Sequence, residues 1–272
     1  MRFALPLSAL LALFALGERP AQAHPPPFWW MADTSDRSHF GFELMVGNPQ
    51  LGPIDTTALA GGLYGHVAAS PNISVDARLP LAFVYFDPEV MGEDSEAAIG
   101  NLSVGVQGTA RRRQGFRTTV LFGGGFVIYV PTSSDDGPAL FSVASARALA
   151  LPDPGRWFVD TTTARLRGDL RFESGAVFFQ SELDLDLHFT DGDDDIDVVL
   201  GLGPGVKASD ELAFLMELSI SEITDDEDIT VDLGVRYHTH GILAGFRIYL
   251  PLSDPFRDDD VIAAGMDIAG RF

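Results

Sequence analysis

The stretch from Val177 to Phe189 constrains this chain more than any other. Its odd positions are Val177, Phe179, Ser181, Leu183, Leu185, Leu187 and Phe189, and its even positions are Phe178, Gln180, Glu182, Asp184, Asp186 and His188. A period of two defines a β-strand with one apolar and one charged face. The same alternation runs through Ile229, Val231, Leu233, Val235 and Tyr237 against Thr230, Asp232, Gly234, Arg236 and His238. It recurs in Leu212, Phe214, Met216, Leu218 and Ile220 against Ala213, Leu215, Glu217, Ser219 and Ser221.

Continued along the chain, the pattern predicts strands near 39–47, 57–69, 73–86, 99–110, 116–130, 158–172, 177–189, 196–207, 212–220, 229–238, 242–250 and 262–271. That is about twelve, each near the length a tilted membrane-spanning strand requires. One helix is expected, Ala139 to Leu151, inside the longest connection.

The connections decide between a soluble β-sandwich and a membrane barrel. Short ones at Ser70 to Asn72, Arg111 to Gly115, Glu173-Ser174, Ala208 to Glu211 and Thr239 to Gly241 alternate with acidic, generally longer ones. The acidic set is Asp87 to Glu96, Pro131 to Arg156, Thr190 to Asp195, Thr224 to Asp228 and Pro251 to Asp260. Tight periplasmic turns and longer external loops are the asymmetry of outer-membrane barrels. The expected fold is therefore all-β: a single transmembrane antiparallel up-and-down β-barrel at 38–272, with a polar lumen and an apolar exterior.

The N-terminus agrees with export. Met1-Arg2, an apolar run from Phe3 to Leu16 and the small-residue site Ala21-Gln22-Ala23 read as a cleavable signal peptide at 1–23. The apolar run is short of the ~20 residues of a membrane-spanning helix. Residues 24–37 form an N-terminal periplasmic lead, whose triple proline and Phe28-Trp29-Trp30 suit a membrane interface. The chain has no cysteine, which excludes disulfides and thiolate metal sites, and its net charge of -21 excludes nucleic acid as a partner. At 46% hydrophobic residues it is nonetheless built to fold.

A two-residue hairpin loop at Glu173-Ser174 places Arg165 opposite Glu182. The lumen face then carries Arg165, Arg167, Arg171, Arg236 and Arg247 facing Glu182, Asp184, Asp186, His188, Glu217 and Asp232. Opposed basic and acidic walls orient polar solutes in a pore; paired across a narrow lumen, the same charges close it. Asp186 and His188 share a face as a lumen pair. Asp191, Asp193 and Asp195 offer alternating oxygen ligands, but the EF-hand glycine and distal glutamate are missing. No cofactor is expected beyond weakly bound divalent cations at the external loops. His238 and His240 are too few for a metal centre. Gly201-x-Gly203-x-Gly205 lies within a strand, where small residues suit a curved wall better than a nucleotide loop.

The alternation of Met266, Ile268, Gly270 and Phe272 resembles the closing strand of Gram-negative outer-membrane barrels. That resemblance implies recognition of Phe272 by the barrel-assembly machinery, outer-membrane lipid and lipopolysaccharide as surroundings, and periplasmic termini. The segments Ile99 to Gly105 and Phe126 to Thr132 resemble the transporter family named for the meta-cleavage pathway of phenol degradation. The family pattern leads one to expect an acid at Asn101 and a glycine at Ser133. Membership implies passive passage of small, often apolar molecules through a channel. The alternative is a structural or surface-interaction barrel with a closed, salt-bridged lumen and acidic external loops. Enzymatic readings are disfavoured: the His-x-Ser arrangement of the barrel phospholipases, which the chain resembles in size, is absent.

Overall fold

The computed structural model describes residues 27–33, 37–51, 54–86, 95–114, 118–132, 138–190, 194–223, 226–252 and 262–272. The expected signal peptide and much of the acidic loops, including Asp191 and Asp193, lie outside the described residues.

The strands are β1 (His39–Gly47), β2 (Gln50–Leu51), β3 (Ile54–Ser70), β4 (Ile73–Phe86), β5 (Ser95–Ile99), β6 (Leu102–Gln114) and β7 (Thr118–Val130). After helix α1 (Pro138–Ala148) follow β8 (Thr162–Ser174), β9 (Val177–Phe189), β10 (Asp194–Lys207), β11 (Leu212–Ile223), β12 (Asp226–His238), β13 (Ile242–Pro251) and β14 (Ala263–Arg271). Consecutive strands pair antiparallel, and β1 pairs with both β3 and β14, which closes the barrel. β2 only extends the β1–β3 hairpin. β5 and β6 both pair with β4 and make one stave, interrupted at Gly100-Asn101. The wall therefore has twelve staves.

Its polarity is inverted relative to a soluble protein. Phe122, Phe126, Leu166, Leu183, Leu185, Phe214, Phe246 and Ile268 point outward and are exposed, while arginines and carboxylates are buried inside. Every backbone donor of a closed barrel finds a partner within the wall, so an apolar exterior of this kind suits a bilayer. The ends of the wall meet: the Phe272 N–H donates to the Ser38 carbonyl at 3.0 Å.

Three expectations need correction. The β8–β9 turn is Gly175-Ala176, not Glu173-Ser174, because Ser174 pairs with Val177. Gly175 has φ +60° and Ala176 does not have a positive φ, the pattern of a type II′ turn. The ladder is shifted by two residues on each strand, so the faces are as expected while the partners change: Arg165 faces Asp186, and Glu182 faces Asp169. β6 continues through Gln114, past the turn expected at Arg111 to Gly115. Finally, Phe28, Trp29, Trp30, Met31 and Ala32 are buried inside the barrel and do not lie at a membrane interface.

The expected helix is present and turns inward. Ala58, Ala60, Ala82, Val84, Ala98 and Ala263 project small side chains into the lumen, and Val143, Ala146, Leu149 and Ala150 pack into the space they leave. A charged lumen wall would have no reason to alternate alanine and valine here; a helix to be buried gives one.

Candidate functional site

The site is the lumen, and it is occupied by the chain itself. From the end of the barrel where Ser38 and Phe272 lie, residues 27–33 enter as a plug, bent at 29–31. Its backbone donates into the wall: the N–H groups of Trp29 and Trp30 go to the two oxygens of Glu217, and that of Ala32 goes to Glu182. The indole N–H of Trp29 donates to Asp267 Oδ1 at 3.0 Å and that of Trp30 to Asp232 Oδ2 at 2.7 Å. Gln180 Nε2 donates to the Ala32 carbonyl at 3.0 Å. Guanidinium groups lie over the rings: Arg236 over Trp29 at 5.0 Å, Arg247 over Trp30 at 4.2 Å and Arg156 over Trp30 at 4.9 Å.

The wall makes room for these side chains with glycine. A Cβ at Gly203 would meet the Phe28 ring, one at Gly234 the Trp29 indole, and one at Gly201 would approach Met31 Cε to 3.1 Å. The glycines at Gly201 and Gly203 are thus places of close approach, not merely a means of curvature.

From the opposite end, the connection carrying α1 brings Asp153 and Arg156 into the lumen. Arg156 pairs with Asp153 and reaches Glu43 at 2.7 Å. Tyr129 Oη donates to Asp153 at 2.6 Å, and Arg165 Nη1 lies 3.0 Å from the same carboxylate. The connection is held at Asn101, whose Nδ2 donates to the carbonyls of Gly155 at 2.9 Å and Phe158 at 2.7 Å. Thr132 completes the clamp, its N–H donating to Asn101 Oδ1 at 3.2 Å and its hydroxyl accepting from the Leu102 N–H at 3.1 Å. The two short motifs of the sequence therefore meet at one point. An aspartate at 101 accepts only, and it would face two carbonyls. On α1, burial lowers the pKa of the Arg147 guanidinium below its ordinary value, and Asp228 and Asp197 oppose that shift. Its guanidinium lies over the Phe158 ring at 4.6 Å.

All eleven candidate lumen residues lie on the inner face. Arg165, 1% exposed, makes a forked pair with Asp186 through Nε and Nη2, both at 2.6 Å. Arg167 lies 3.2 Å from Glu182 and 3.3 Å from Asp184. Arg171 pairs with Glu173 at 3.1 Å and lies over Phe28. Arg236 is 3.4 Å from Asp267, and Arg247 is 3.7 Å from Asp232. The expected Asp186–His188 pair is not formed: Arg165 takes Asp186, while His188 lies 2.9 Å from both Asp197 Oδ2 and Thr163 Oγ1. This Thr-His-Asp series has the order of a nucleophilic triad, but Thr163 is completely buried. A hydroxyl no substrate reaches is a clamp, not a nucleophile.

Asp195 is exposed on β10, His238 is buried on the lumen face and His240 is exposed in the following turn. Among the described residues, no three acids or histidines are grouped to hold a metal ion. Beside the plug a cavity of about 90 Å³ remains, lined by His39, Tyr64, His66, Asp76, Arg78 and Asp267 among others. A second, of about 20 Å³, adjoins Trp30, Met31 and Ser219.

No family model matches the sequence, and no curated protein matches it. Among solved structures, an outer-membrane channel of Pseudomonas putida F1 superposes with a TM-score of 0.65 at 10% identity, over 92% of this chain and 100% of that one. The KdgM porin gives 0.43 at 8% identity over 85% and 99%, and the Escherichia coli outer-membrane phospholipase A gives 0.44 at 12% over 86% and 92%. The first of these likenesses establishes the fold: this chain is a closed twelve-stranded barrel of the outer-membrane type.

Proposed function

We propose that this protein is an outer-membrane channel for small solutes, held shut by its own N-terminal segment. The observation that carries this reading is a division of labour among the lumen charges. Arg165 and Asp186 pair within the wall, as in a structural barrel. Glu217 is different, since both its oxygens accept plug N–H groups, and Asp232 accepts the Trp30 indole N–H. Water replaces such bonds at little cost once a segment withdraws, so the plug is separable where the wall is not. The likeness of Ile99 to Gly105 and Phe126 to Thr132 to the phenol meta-cleavage transporter family supports small organic solutes as cargo. Cleavage after Ala23, periplasmic termini, recognition of Phe272 by the assembly machinery, and divalent bridging of acidic loops to lipopolysaccharide belong to the same proposal.

The test is conductance of the full chain in planar bilayers. Wild type should be mostly closed, and the Trp29→Ala/Trp30→Ala double variant should conduct for most of the recording. The second reading, a closed structural barrel, draws on the Arg165–Asp153–Asp186 network. It is the one left standing if neither protein conducts at any voltage.

A further inference from the structure

The plug is held by side chains whose chemistry describes more than a plug. Trp29 and Trp30 are bound by the same construction used twice, with different carboxylates and different nearest wall arginines, although Arg247 also lies 5.6 Å from the Trp29 ring and Arg156 4.9 Å from that of Trp30. In each, an arginine of the wall lies over the ring and a carboxylate of the wall accepts the ring N–H. For Trp29 the pair is Arg236 at 5.0 Å and Asp267 at 3.0 Å; for Trp30 it is Arg247 at 4.2 Å and Asp232 at 2.7 Å. Tyr249 adds an edge-on contact to Trp30 at 6.5 Å between centroids. A purely steric stopper requires neither feature. Cation over ring and anion at N–H together select a flat, electron-rich ring that carries a donor.

Two neighbouring observations point the same way. Ser219 Oγ and Thr230 Oγ1 are buried on facing positions of β11 and β12 and find no hydrogen-bond partner among the described residues. The small cavity beside Trp30 is lined by Ser219. The site thus has polar capacity and space that Trp30 does not use.

From this duplicated geometry we infer that the Trp29 and Trp30 positions are binding sites for a diffusible aromatic solute with a ring N–H, for which the plug is an internal competitor. The inference rests on the channel reading and names the class of solute that opens and uses the channel. Arg247, Asp232, Arg236 and Asp267 recognise the ring and its donor. Gly234, which admits the Trp29 indole, gives the flat ring its space.

Indole is the probe, with 1-methylindole as the same ring lacking the donor and toluene as an apolar control. In planar bilayers holding the full-length wild type, indole should raise the open fraction by displacing the plug. In the Trp29→Ala/Trp30→Ala variant, whose sites are vacated, indole should instead interrupt the current. In both proteins 1-methylindole should require on the order of tenfold more, because its site carboxylate is left unpaired. The opposite signs separate site binding from a general effect on the bilayer, which would act alike on both proteins. Equal potency of indole and 1-methylindole overturns the inference. So does a conducting double variant with no response to indole in either protein, an outcome that leaves the channel reading standing. Absence of current from both proteins removes the channel reading and this inference with it.

Discussion

Replacing Asp186 with alanine tests the lumen wall most directly. Arg165 is 1% exposed and gives Nε and Nη2 to the two oxygens of Asp186, each at 2.6 Å. Removing one partner of a buried ion pair costs about 3–5 kcal/mol, because the other charge stays desolvated. Here Nη1 keeps Asp153 at 3.0 Å and Asp184 at 3.3 Å, so part of the compensation survives and the expected loss is about 2–4 kcal/mol. Glu182→Ala is the matched comparison. Its partner Arg167 keeps Asp184 and its side chain is 13% exposed, so water reaches it, and the other group that loses its acceptor, the Ala32 N–H, belongs to the separable plug, so the wall should lose only about 1 kcal/mol. The measurement is the urea midpoint of barrel refolded in lipid, converted with the wild-type slope. Asp186→Asn, which keeps one acceptor, should recover part of the loss. Equal losses for Asp186→Ala and Glu182→Ala, or a larger one for Glu182→Ala, would refute the β8–β9 register and the argument built on it.

Asn101→Asp should free the connection around residues 153–158 without unfolding the barrel, at about 2–3 kcal/mol for two lost donors now facing carbonyls; amide exchange should rise there and not in β9. Gly203→Val puts a side chain where the Phe28 ring lies and should expel the plug, so that open fraction rises while the urea midpoint changes by no more than about 1 kcal/mol. Cysteine introduced at Ala176 should be shielded from an impermeant maleimide on intact cells, and one at Asp193 should react; reversed labelling refutes the assignment of sides.

The alternation around Val177 to Phe189 made the fold legible, because a period of two states which face of a strand meets lipid wherever the sheet is one layer thick. Inner and outer residues were readable from it, and so were most strand limits. Partners were not. A shift of two residues on each strand preserves every face, so only the turn distinguishes Glu182 from Asp186 as the neighbour of Arg165. The signal was present in Gly175, the residue suited to a positive φ. The plug was hidden for another reason. Trp29 and Trp30 donate hydrogen bonds to residues 187 to 238 positions away, and contacts of that range leave no local periodicity. Two faint signs remained: glycines clustered on the lumen face at 201 and 203, and wall carboxylates such as Glu217 without an arginine beside them on the paired strand.

The position of the plug in the chain also sets the order in which the molecule completes itself. Residues 27–33 precede all of their partners in the chain, yet Glu217, Asp232 and Asp267 belong to three of the last four strands. Their three carboxylates stand around one segment only in a barrel whose first and last strands, β1 and β14, have paired. An early segment of the chain is therefore among the latest to find its place. Until then Phe28, Trp29 and Trp30 lack the wall groups that bury and bond them. The lumen is filled by a segment that contributes no strand to the wall, and that must therefore wait for the wall to supply its partners.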